Sequence, residues 1–192
     1  SEWQTLTQTF KEHIYAFEHR TMSQSPIDNA LVLANALPDG ARLTIVTHSR
    51  GGQVADLLCL KELLSEQIAR FGRKGGTANE ADQHDQTQLT ELARVLRKKR
   101  FQVQRVIRVA CPSQGTLLAS ENLDRFLSVV TSLIGLIPVV GQSPVYQVIK
   151  RITLETAKRR WDPSVIPGIE SMIPQSPLVA LLNAPDVQGA GD

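Results

Sequence analysis

The sequence predicts an α/β fold with a mainly parallel sheet. Three observations carry that reading. β-rich runs at residues 12–18, 42–47 and 103–110 alternate with helix-patterned stretches. The run Arg42–Thr47 passes with no room for a loop into a helical pattern over residues 53–70. The composition is that of one ordinary soluble domain: 192 residues, 42% apolar, with 12 Gly and 10 Pro. It excludes collagen, a disordered tail and a disulfide-stapled miniprotein. Lys+Arg number 21 and Asp+Glu 19, a formal charge of +2, so no nucleic-acid partner is expected on charge. Cys59 and Cys111 both sit in apolar runs and read as buried free thiols, which suits a reducing, cytoplasmic setting.

The elements follow in chain order. Residues 2–11 form a short helix, and residues 12–18 (EHIYAFE) a strand ending at His19. Ser25-Pro26-Ile27-Asp28 opens the next helix: Ser25 caps, Pro26 suits the first helical position, and Asp28 completes an S-x-x-D box. Ile27, Ala30, Leu31 and Ala34 keep helical spacing until Pro38-Asp39-Gly40 stops it. After the strand at 42–47 and the helix at 53–70, residues 71–85 are polar and Gly-containing and read as a loop. A helix over 86–100 places Leu89, Leu92, Ala93 and Leu96 on one face and Arg97–Arg100 in its last turn, where cations suit the dipole. The basic cluster that includes Arg94 reads as a solvated helix end. Residues 103–110 form the third strand, and Cys111-Pro112-Ser113-Gln114-Gly115-Thr116 stops it. Residues 121–160 are mostly helical, 161–183 Pro-punctuated, and 184–192 too polar and Gly-rich to pack. The longest apolar stretch, Phe126–Val140, is too short to span a membrane, and the N-terminus carries no signal-peptide pattern.

The motif with chemical content is Thr47-His48-Ser49-Arg50-Gly51-Gly52. A nucleophile elbow, G-x-S-x-G, sets its serine on a tight strand-to-helix turn, with small neighbours two residues either side. The turn lifts Oγ off the sheet and aims the first helical amides at an oxyanion. Here Gly51 fills the +2 place, whereas Thr47 stands where the motif has Gly. The plain alternative is that Ser49 only caps a helix.

The run LTIVTHSRGGQVADLL resembles the elbow of α/β-hydrolases, lipase-like ones in particular. RVIRVACPSQGT is similar to the following strand and its P-x-x-G-T turn, and PGIESMIPQSPLVALLN to the segment after the lid, with AFEHRTMSQSPIDNA similar to the strand and helix before the elbow. The likeness covers about residues 12–60 and 103–183. Within that superfamily the chain most resembles hydrolase-like domains of large bacterial proteins that also carry caspase-like (CHAT) peptidase modules. The resemblance implies a three-layer sandwich in one domain over 1–192. Its core spans 12–60 and 103–118, its insertion 71–100 and its lid-like helices 121–160.

By resemblance Ser49 is the nucleophile, the Arg50 amide an oxyanion donor, and Thr47 and Gly51 shape the elbow. His48, His19, Pro112 and Gln114 are pocket candidates. His48 flanks the nucleophile, so its ring is read as packing or as a supporting hydrogen bond behind the site, not as the base. The fold's order is Ser, then acid, then His. After Ser49 the only histidine is His84, read as a surface-loop residue before the third strand. Asp124, Asp162 and Asp186 follow no recognisable strand, and Cys111 occupies a place where some lipases carry an acid. The chain therefore reads as the middle of such a fold, incomplete at both ends, with the catalytic acid and histidine outside it. A Ser49–His contact within residues 1–192 would contradict this. No metal-ligand spacing, phosphate-binding glycine loop or cofactor motif occurs.

Two functional classes follow. One is a serine esterase or lipase acting on an ester or lipid-like substrate, within a longer multidomain polypeptide. The other is a non-catalytic interaction or regulatory module that keeps the fold. Residues 121–160 read either as a lid that covers an acyl pocket or touches a membrane surface, or as amphipathic helices packed on the sheet.

Overall fold

A computed structural model of the chain describes residues 2–21, 23–60, 62–72, 80–116, 170–187 and 189. Helix α1 spans Glu2–Phe10 and leaves Trp3, Leu6 and Phe10 exposed. The strand expected over 12–18 is not formed. Residues 12–20 are irregular, Tyr15 is 84% exposed, and among the described residues no strand pairs with the run, so its Ile/Tyr/Phe content has no ladder to join.

Helix α2, Pro26–Ala36, starts as its sequence predicts. Ser25 Oγ accepts from the Asp28 amide at 3.2 Å, and Asp28 Oδ2 accepts from the Ser25 amide at 3.3 Å, so two otherwise orphaned donors are satisfied. At its other end Lys99 Nζ donates to the carbonyls of Asn35 (3.0 Å) and Leu37 (2.6 Å). The basic run at 94–100 is thus more than a solvated end, because one of its cations closes a helix terminus.

Strand β1, Arg42–His48, leads into α3, Gly51–Leu58. The single helix expected over 53–70 is two: α3, and α4 over Ser65–Ala69. Between them Leu60 forms an antiparallel bridge with Gly189, and the Leu64 amide donates to Gln67 Oε1 at 2.8 Å, which starts a new helix. Helix α5 runs Glu80–Lys99, six residues earlier than expected. Its polar start reads as loop, yet Glu80 and Asp82 favour a helix N-terminus electrostatically. Strand β2, Gln102–Val109, pairs parallel with β1, Arg42 opposite Gln102 through His48 opposite Val109, with Gln104 as an extra residue. Helix α6, Pro177–Leu182, is capped by Ser176 Oγ, which accepts from the Val179 amide.

The core joins Ile27, Ala30 and Ala34 of α2, Val54 and Leu57 of α3, Leu89 and Leu92 of α5, and Leu178 and Leu181 of α6. Each fully buried Ile, Leu or Val among these contributes about 1.5–3 kcal/mol, and each Ala methyl about 0.8 kcal/mol. Helix α2 packs against α3 and α5, and α3 against both strands, giving one helical layer on one sheet face. On the other face Val46, Ile107 and Val109 are exposed, and Val46 pairs with Ile107 and His48 with Val109. The C-terminal residues expected not to pack do so in part: Gln67 Nε2 donates to the Asp186 carbonyl, Arg70 pairs with the Asp186 carboxylate, and Val187 lies against the core. Among the described residues, no helix is long and apolar enough to cross a membrane. Residues 121–160, with the lid and membrane-contact readings, lie outside the described residues, as do Asp124 and Asp162.

Candidate functional site: the turn at Ser49

Ser49 ends β1 with φ +52°, a left-handed conformation rare for a residue with a side chain. Its amide donates to the Val109 carbonyl at 3.0 Å, so the kink is tied to the end of β2. The Gly52 amide donates back to the Ser49 carbonyl at 3.1 Å, and α3 begins at once. The Arg50 amide, next after Ser49, has no acceptor among the described residues. Strained serine, helix start and open amide together make a tight strand-to-helix turn.

The glycine requirement falls one residue later than the motif suggests. A Cβ on Gly51 would lie 3.7 Å from Thr47 Cβ, an ordinary contact. A Cβ on Gly52 would lie 2.6 Å from Cys111 Cβ and 2.9 Å from Cys111 Sγ. The larger Thr47 is accommodated because it is buried and its Oγ1 donates to the Ile107 carbonyl at 3.3 Å, with Cys111 Sγ also 3.3 Å away. Cys59 is buried as expected, whereas Cys111 is only half-buried.

Arg50 is the residue the sequence reading undervalued. Beyond its amide, its side chain is buried, 1% exposed, and runs back to the chain before α2. Nη1 donates to the Gln24 carbonyl at 2.9 Å and Nη2 to the Arg20 carbonyl at 3.3 Å, while Nε has no partner. Burial pushes its pKa down to about 10, partly opposed by Asp28, so it stays charged at neutral pH. The available signal was an arginine set at the mouth of an apolar helix, where an exposed cation would gain nothing from the dipole.

His19, expected to line the pocket from a strand end, instead follows an irregular segment. Its ring stacks on Phe17 with centroids 5.5 Å apart, and its Nε2 is buried without a partner. Burial lowers its pKa, the Arg50 charge lowers it further, and a hydrogen bond with the Phe17 backbone opposes both. Because the folded value lies below the unfolded one, the unfolded chain takes the proton first. His19 thus contributes stability above about pH 6.5 that is lost as pH falls toward its folded pKa. The urea midpoint is expected to carry an acid-side loss that His19→Gln removes; an identical pH profile in the variant would contradict the assignment.

His84 lies on α5 rather than in a loop, and its Nε2 is 2.9 Å from Asp28 Oδ1 on α2. It is not the partner of Ser49. Among the described residues no histidine is hydrogen-bonded to Ser49 Oγ. His48 is exposed, Pro112 half-buried and Gln114 exposed. A cleft of about 550 Å3 follows β2 from Val103 to Val106, and a cavity of about 310 Å3 lies between α2 and α5. Neither Ser49 nor any of the pocket candidates lines these two spaces. Asp186 is held by Arg70, which lowers its pKa. Among the described residues no cluster of His, Cys, Asp or Glu suits a metal ion.

Neither a curated protein nor a solved structure matches the chain. A family profile does, over residues 3–74 and 86–191, nearly its whole length, and the chain belongs to that family, Domain of unknown function (DUF7379).

Proposed function

We propose that the chain is an α/β-hydrolase-like domain whose Ser49 forms an acyl-enzyme on a carboxylic ester, as in an esterase or lipase. The observation that carries this reading is Ser49 at φ +52° between a parallel strand and a helix that starts two residues later. Ser49 Oγ attacks the ester carbonyl carbon and gives its proton to a base. The Arg50 amide faces the oxyanion, and the alcohol leaves with the proton. Water then attacks the acyl carbon and releases the acid. The base and its orienting acid come from outside this chain. In support, His84 is already bonded to Asp28, and His19 Nε2 is buried beside Arg50. The exposed face of Val46, Ile107 and Val109 suits the second helical layer of a three-layer sandwich. No cofactor takes part. The substrate is ester or lipid-like.

The test is labelling of the native polypeptide with a fluorophosphonate probe beside Ser49→Ala. Labelling that vanishes in the variant is expected. Equal or absent labelling of both would favour the non-catalytic module.

A further inference from the structure

The N-terminus of α2 collects carboxylates from three elements. Asp28 comes from α2, Asp85 from α5, and Glu170 from the chain before α6, all lining the cavity of about 310 Å3. Asp82 and His84 of α5 line it as well. His84 bonds Asp28 on one oxygen, and Ser25 Oγ lies 3.3 Å from the other. When Asp85 is ionised, four carboxylates, Asp82 among them, share a part-buried space that His84 also lines.

The residues beside Glu170 reach the Ser49 turn. The Ser171 carbonyl accepts from Gln53 Nε2 of α3 at 2.5 Å and from Ser176 Oγ at 3.1 Å. The Met172 carbonyl accepts from the Thr116 amide, just past β2, at 2.7 Å. Gln53 is itself buried, three residues after Arg50.

We propose that Asp85, Asp28 and Glu170 form a proton-dependent latch that fastens residues 170–176, and through Gln53 the helix of the Ser49 turn, to the α2–α5 pair. The inference stands apart from the hydrolase reading, since it concerns how this segment is held and not what Ser49 does. Burial is the main reason the Asp85 carboxyl is pushed up to about 6; Asp28 and Glu170 add to it, while the Ser25 hydrogen bond and His84 oppose it. With the folded pKa raised, the stability Asp85 contributes is full below its unfolded value and is lost as pH rises through about 6. The latch is closed when protonated and loosens above that point.

The experiment is an amide NMR titration of the whole chain from pH 4.5 to 8, following Ser171, Met172, Ile173, Ser176 and the Gln53 side-chain amide. One shared step near pH 6 is expected in the wild type. Asp85→Asn, which keeps size and hydrogen bonding, is expected to abolish it. Glu170→Gln, which removes one repelling charge, is expected to move the midpoint down, and it serves as the test if Asp85→Asn does not fold. A wild type without the step, a step that survives in Asp85→Asn, or an unchanged midpoint in Glu170→Gln would overturn the latch.

Discussion

Gly52→Ala is expected to lower the thermal midpoint by about 6–12 °C. The added methyl would sit 2.6 Å from Cys111 Cβ, well inside contact distance. That atom is fixed to the backbone and cannot swing away, as the tip of a long side chain would. Overpacking of this kind costs about 1–3 kcal/mol, and the upper end applies where the obstacle is a Cβ. In a domain of this size each kcal/mol shifts the midpoint by about 2–4 °C. Since Gly52 lies in the first turn of α3 and its amide donates to the Ser49 carbonyl, the variant is also expected to weaken fluorophosphonate labelling of Ser49 in the native polypeptide.

Two further variants separate the clash from a general need for glycine. Gly51→Ala places its methyl at an ordinary 3.7 Å from Thr47 Cβ, so its midpoint is expected to stay near that of the wild type. Cys111→Gly removes both Cβ and Sγ. Alone it costs packing and chain entropy, about 1 kcal/mol, but combined with Gly52→Ala it is expected to recover much of the lost stability. A thermal-melt double-mutant cycle reads this directly. If the two losses simply add, the Gly52–Cys111 contact is not what limits the turn.

How much of this was legible follows from the range of each interaction. The start of α2 could be read from four consecutive residues because the capping box closes within them. The strand–turn–helix at Ser49 was equally local. The failures all turn on distant partners. Residues 12–18 have strand composition, but a strand exists only beside another, and among the described residues none pairs with them. Residues 53–70 have continuous helical spacing, yet Leu60 is claimed by Gly189, far along the chain. His84 looked like a loop residue because helix α5 begins in a polar stretch, and its partner Asp28 is 56 residues earlier. At the candidate site the strained serine turn could be read from its motif. The demand for glycine at 52 could not, because it is set by Cys111 across the sheet. Nor could the Arg50 clamp, whose acceptors are carbonyls and carry no mark in the sequence.

Gly115→Ala should be more damaging still, and beyond rescue by a side-chain change. Gly115 has φ +78°, a conformation that costs an L-residue about 1–2 kcal/mol before any contact is counted. Its added Cβ would then lie 2.7 Å from both N and Cα of Pro174 and 3.0 Å from the carbonyl carbon of Ile173. These are backbone atoms, so Pro174→Ala leaves the obstacle in place, whereas Cys111→Gly deletes the one facing Gly52. Separating the two chains also strains the bond from the Thr116 amide to the Met172 carbonyl, which ties the exit of β2 to residues 170–176. With the upper overpacking value, as for the fixed obstacle at Gly52, strain and overpacking together come to about 4–5 kcal/mol, a midpoint drop of about 8–20 °C. The variant should also uncouple the latch at its other end. The pH step in the amides of Ser171–Ser176 is expected to fade from Gln53 while Asp85 still titrates. A Gly115→Ala protein that melts within about 2 °C of the wild type would mean that the turn after β2 does not rest on residues 173–174 in solution.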